Sequence, residues 1–234
     1  MVAVTVFVTV AIHNAPAAGA PGGNAGSWPP RTPRAAPGTA PRLAAWILRV
    51  NPKAAPYASL LAARIVREGR RRRIPFAVLT AIAWIESDYR RGLKGAASEI
   101  GVWQLGARQG DHKLPDGWNE LRRLYPAWPI VKATAPAPWA KLTHGARVRV
   151  IDDIRAGTFL AALEIRSAAD TCYRMRNKAH RAAGRTWGKS MFYLHKGPDI
   201  WAHYNSGVRR PRFNYRLKLR RRTARIRRWL RSKP

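Results

Sequence analysis

At 234 residues and 46% apolar content, the chain is long enough for one sizeable core with extensions and too apolar to be a wholly disordered polymer. Its 44 Lys and Arg against 12 Asp and Glu give a net charge of +32, which selects polyanionic partners: nucleic acid, anionic lipid or acidic envelope polymers. One Cys excludes an intramolecular disulfide and a Cys-rich zinc site. The six His show no HExxH or comparable spacing, so no metal or other cofactor is expected.

Residues 2–12 form an apolar run too short to span a bilayer as a mature helix. Small residues at 15–20 suit a signal peptidase, but no Lys or Arg precedes the run, so a cleaved secretory signal and an unstructured apolar start both stay open. Residues 16–41 are an Ala/Pro/Gly linker. Helical spacing begins at Leu43 and covers residues 43–48 and then 57–70. The run from Arg70 to Arg73 reads as a solvated helix end, and Pro75 opens a further helix to about Tyr89. Residues 90–118 are Gly-rich and irregular, 118–125 a short helix, and 126–138 a Pro-punctuated loop. A long helical stretch with one break runs over 148–183, followed by a loop and a last short helix at 199–204. Residues 208–234 carry 13 basic side chains and no acid. Alternating strands and internal repeats are absent, so the expected class is mainly α. Its segments are 1–41 (leader and linker), 42–207 (one domain) and 208–234 (basic tail).

One carboxylate stands out. At about 100° per residue, Leu79, Ile82 and Ala83 define the apolar stripe of the helix after Pro75, and Glu86 projects from its middle while Asp88 points away. Lost hydration raises a carboxyl pKa, which is what a general acid near neutral pH requires. The plainer alternatives are a Glu paired with one of the many Arg, or a helix end leaving the core.

Glu86-Ser87 is followed by Gly101-Val102-Trp103-Gln104, then Ala156-Gly157-Thr158-Phe159-Leu160, then Ala202-His203-Tyr204-Asn205-Ser206-Gly207. In order and spacing this resembles the soluble lytic transglycosylase family, over about residues 74–207. The resemblance implies a lysozyme-like α domain with a sugar-binding cleft that cleaves the β-1,4 bond between N-acetylmuramic acid and N-acetylglucosamine in peptidoglycan. It makes Glu86 the single acid/base, protonating the glycosidic oxygen and then deprotonating the muramoyl 6-hydroxyl to leave a 1,6-anhydro end. The substrate's N-acetyl group takes the place of a second carboxylate. It further implies that Gly101 allows close approach to a sugar, Gln104 hydrogen-bonds it, Tyr204 holds Glu86, and Asn205 orders the same wall. Two departures stand out: Trp103 replaces the usual Met and would stack on a sugar face, and residues 95–100 read Gly-Ala-Ala-Ser-Glu-Ile instead of Ser-x-x-Gly-Ala-x, which leaves Ser98 as the candidate substrate contact there.

Glu99, Asp111, Asp88 and Asp116 lie in the same region as candidates for a second carboxylate, and of these Asp88 and Asp116 read as surface or turn residues. Glu99 is the best-placed base for a hydrolytic, lysozyme-type alternative. Trp46 and Trp84 read as core; Trp103, Trp118, Trp128, Trp139 and Trp201 are candidate sugar platforms. Asp152-Asp153 reads as a polar helix face and Cys172 as buried packing. In the tail, Leu217, Leu219, Ile226, Trp229 and Leu230 alternate with cations, an amphipathic helix suited to anionic envelope lipids or polymers, or to phosphate backbones. The expectation is a monomeric enzyme acting on peptidoglycan strands, secreted, periplasmic or envelope-bound, with a phage or virion origin consistent with its charge. The competing class is a non-catalytic basic virion protein that binds nucleic acid.

Overall fold

Helix α1 (Thr39–Val50) starts behind Gly38, whose φ of 81° is a left-handed turn that suits glycine. It buries Leu43, Trp46 and Ile47. Asn51 ends it, donating its backbone N–H to Ile47 O while its side chain accepts from Lys53 N at 3.1 Å, which begins the short turn Pro52–Ala54. Helix α2 (Ala58–Arg72) stops at Arg73 in the left-handed region, and Ile74 N returns to Gly69 O at 2.8 Å. The computed structural model describes residues 36–95, 99–107, 114–134, 137–182, 201–202 and 213–232.

Helix α3 (Phe76–Ser87) follows Pro75, which precedes the first turn as expected. Its burial is not a stripe. Every residue from Ala77 to Ala83 is buried, because α2 packs on one side and the C-terminal helix on another. Glu86 is therefore remarkable less for its angular phase than for its place in the last turn of a central helix, where the chain begins to leave the core.

A two-stranded antiparallel hairpin, β1 (Glu99–Ile100) and β2 (Leu105–Gly106), carries the Gly101–Gln104 turn. Helix α4 (Leu114–Leu124) extends the expected short helix, and α5 (Pro129–Thr134) lies where a loop was expected. Pro129 sits at the first helical position, where its missing N–H costs nothing, so it opens a helix instead of breaking one. Helix α6 (His144–Asp152) is capped by Thr143 Oγ1, which accepts from Ala146 N at 3.1 Å. The long helix α7 (Ile154–Ala182) follows directly. The one expected break falls at Asp153, whose Oδ1 accepts from Arg155 N (2.9 Å) and Ala156 N (2.8 Å), so this acid is a cap and not a polar-face residue. A Cβ on Gly157 would collide with Ile151 O, so only glycine lets α7 pass this close beneath α6.

Helix α8 (Phe213–Arg231) corrects the reading of the tail. Its apolar side, Tyr215, Leu219 and Ile226 with Thr223, is buried in packing against α3 and α1, so that side is core and is not free to enter a membrane interface. Arg42 donates to Trp229 O (2.6 Å) and to Ser232 O at the C-terminus of α8, and Trp229 Nε1 donates back to Arg42 O at 3.2 Å. Helix α8 belongs to the same compact unit, Arg31–Pro234, as the other described helices. The fold is mainly α, and among the described residues no helix is long and apolar enough to cross a membrane.

Candidate active site

The local sequence after α3 explains how Glu86 is presented. The helix ends in two consecutive left-handed residues, Asp88 (φ 51°) and Tyr89 (φ 63°), strained conformations held by surrounding bonds. Tyr89 is locked at both ends: its hydroxyl accepts from Trp46 Nε1 (3.0 Å) and donates to Thr80 O (3.1 Å), and its carbonyl accepts from Tyr57 Oη (2.7 Å). Ser87, buried, donates to Val102 O at 2.8 Å and so pins the Gly101–Gln104 turn to the residue beside Glu86. Asp152 ties down the next loop, accepting from Gly92 N at 2.8 Å and pairing with Arg91 at 3.1 Å. Asp152, too, is a structural tie.

Glu86 itself is half-buried, and Tyr215 on α8 donates a 2.7 Å hydrogen bond to its Oε1. Burial pushes the carboxyl up to about 7; the Tyr215 bond pulls the other way, and the neighbouring Glu99 adds to the rise. No other described residue hydrogen-bonds this carboxyl, so Oε1 is held while Oε2 is the oxygen free to exchange a proton. Arg222, one helix face further along α8, donates to Trp84 O, sits 4.3 Å above the Trp84 ring and lies 3.8 Å from Asp88. It adds a charged donor to a carbonyl that already accepts from Asp88 N (3.2 Å), at the negative end of α3.

The turn opposite is built as follows. Gly101 has φ 74°, is buried, and its α-carbon faces Asp152 Oδ1, which a Cβ would approach to 3.0 Å. Its glycine is required by the turn and by packing against α6. Trp103 is corrected as well: it is 1% exposed and donates to Thr158 Oγ1 at 3.1 Å, so it is core above the Gly157 crossing and no platform for a sugar. Gln104 is half-buried at φ 48°, and its Nε2 donates to Leu93 O (3.0 Å) and Gly101 O (2.9 Å). With both amide hydrogens engaged, Gln104 can offer a ligand only its Oε1. That oxygen and Glu99 Oε2 converge over Gly95, where a Cβ would collide with both, leaving two acceptors within reach of one shared donor.

The structure thus gathers Glu86, Glu99 and Tyr215, with Gln104 beside Glu99. Ser98, Tyr204 and Asn205 lie outside the described residues, as does Asp111. Asp116 is exposed in the first turn of α4. Four of the five loop tryptophans (Trp103, Trp118, Trp139 and Trp201) are buried, and only Trp128 stays half-exposed. Trp118 lies inside α4 and not in a loop, and its N–H reaches Ala137 O at 3.0 Å. The residue sequence reasoning missed is Tyr215. Its signal was present, because 215, 219, 223 and 226 repeat at helical spacing, but in a tail so basic the stripe read as a lipid-facing surface.

Among the described residues no three His, Cys, Asp or Glu side chains are placed to hold a metal ion. What the arrangement can do is hold one carboxyl with its proton evenly shared near neutral pH, oriented by a phenol and open on one oxygen. Comparison with family models, curated proteins and solved structures finds nothing that matches this chain.

Proposed function

We propose that this chain is a peptidoglycan lytic transglycosylase with a lysozyme-like catalytic domain, in which Glu86 is the acid/base. The observation that carries the reading is the state of Glu86. A carboxyl raised to about 7 is protonated often enough to give its proton to the glycosidic oxygen, and its conjugate base is strong enough to take one from the muramoyl 6-hydroxyl. One group serves both steps because the proton it gives to the leaving glycosidic oxygen is replaced by the one it takes from the 6-hydroxyl, which returns Glu86 to its starting state. Tyr215 fixes Oε1, so Oε2 faces the reacting oxygens in both steps. The cationic centre formed on bond cleavage is met by the substrate's own N-acetyl carbonyl, and the 6-hydroxyl then closes the 1,6-anhydro ring.

A second reading, a hydrolytic muramidase, is favoured by one feature: Glu99 stands close enough for its charge to act on Glu86. As a base it would direct water to the anomeric carbon and leave reducing ends. Mass spectrometry of fragments released from purified peptidoglycan separates the readings. Anhydromuramic ends from the intact chain, absent with Glu86→Gln, are expected. Reducing ends, lost on Glu99→Gln, would establish the muramidase instead, and no fragments at all would leave the basic binding protein as the better account.

A further inference from the structure

Away from α3, helix α2 presents Arg64, Arg67, Arg71 and Arg72 toward α4 and α7. Two of these are neutralised: Arg71 and Arg72 each reach Glu120 at 3.1 Å. Arg64 and Arg67, and Arg155 in the first turn of α7, form no ion pair among the described residues. The acid whose field reaches Arg64 is Glu68, which is 0% exposed, and burial drives it toward its neutral form.

These cations are also held in place. Tyr125 and Trp128 stack with centroids 4.0 Å apart and planes 9° from parallel. Arg64 Cζ lies 4.6 Å over Trp128 and Arg67 Cζ 5.1 Å over Tyr125, while Arg71 donates to Tyr125 Oη at 3.0 Å. A guanidinium lying on a ring keeps its N–H edge free for a further acceptor. Arg64 is partly withdrawn from water, and its Nη1 is buried without a hydrogen-bond acceptor. Burial first, then the charges of Arg67 and Arg155, lowers its pKa against the smaller opposing pull of Glu68 and Tyr125, so repulsion outweighs attraction at this point. The exposed arginines of α8, such as Arg221, Arg227 and Arg228, are hydrated and have no such platform.

We propose that Arg64 and Arg67, seated on the Tyr125–Trp128 stack, form with the nearby Arg155 of α7 a binding site for a phosphate-type oxyanion, free or carried on a phosphodiester polymer. Phosphate suits the cluster better than carboxylate, since it brings up to two charges and three acceptor oxygens to three guanidinium edges. The site stands whether or not Glu86 cleaves glycans.

The test is calorimetric titration of the full chain with inorganic pyrophosphate in about 0.15 M salt, where diffuse surface attraction is screened. Saturable binding is expected for the intact chain and for the control R221Q/R227Q/R228Q. R64Q/R67Q/R155Q is expected to bind at least about tenfold more weakly, the loss of one or two charge-assisted contacts. Equal weakening in both triple variants, no saturable binding to the intact chain, or equal binding of acetate would overturn the site. Thermal unfolding checks that the variant folds; should it not, R67Q alone, at an exposed position, carries the same comparison. Competition by a glycerol-phosphate oligomer then identifies a polymer-borne source, and failure to compete identifies free phosphate.

Discussion

Glu86 and Glu68 are glutamates on neighbouring helices, and burial raises the pKa of both, yet the fold treats them in opposite ways. Glu68 is sealed: neither of its oxygens touches water or finds a hydrogen-bond donor, and four arginines on its own helix supply attraction at a distance. Glu86 is half-buried at a helix end, with one oxygen held by Tyr215 and the other open. Desolvation alone therefore does not make an acid catalyst. A sealed carboxyl has no proton path, whereas a carboxyl at the rim has both a shifted pKa and an exchanging face. The phosphate site proposed beside Glu68 shows the other side of this comparison, since burial drives that acid toward its neutral form and Arg64 and Arg67 keep no ion pair among the described residues.

The largest effect that would break the comparison lies in activity. Glu86→Gln is expected to lower the rate of peptidoglycan cleavage by about a thousandfold, the usual worth of a general acid/base, while Glu68→Gln stays within about twofold of the intact chain. Turbidity clearance of purified sacculi measures both, and comparable losses would erase the distinction between rim and core.

The next effect is in pH. In the proposed mechanism bond cleavage needs protonated Glu86, so log kcat/KM is expected to fall with unit slope above pH about 7. The same shift acts on stability. The folded chain keeps this proton up to about 7, whereas the unfolded chain loses it near 4.5, so the contribution of Glu86 is full below 4.5 and declines as pH rises to about 7. The decline is up to about 3 kcal/mol, and Glu86→Gln, which removes it, is expected to melt higher than the intact chain at pH 8 and not at pH 4. Thermal unfolding at the two pH values decides this.

Smallest is the effect of the orienting bond. Tyr215→Phe is expected to reduce kcat about tenfold, equivalent to one hydrogen bond to a charged group. Because that bond stabilises the ionised carboxyl, its loss is expected to move the alkaline limb of the pH–rate profile upward. A tenfold loss with an unmoved limb would mean that Tyr215 merely packs α8 against α3.

Much of this was legible in local pattern. Helical spacing found α1, α2, α3 and the α6–α7 stretch, with its single break, because each repeats its apolar residues at the period of its own backbone. The same spacing singled out Glu86. Long-range features were not legible in that way. Pro129 was read as punctuation although it opens α5, and a tryptophan in a loop gives no sign of which way the loop folds. Trp103 turned inward because Thr158, 55 residues away, offers its hydroxyl beneath it.

The chain order of amino acids decided the mainly α class, the helix ends and the placing of one acid at the close of an apolar helix, all consequences of interactions within a few residues. Packing alone decided that one side of the basic C-terminal helix is core, that Tyr215 meets Glu86 across a separation of 129 positions, and that Arg64, Arg67 and Arg155 have no ion pair among the described residues. Those outcomes depend on which surfaces exclude water together, and that is settled only when distant segments meet.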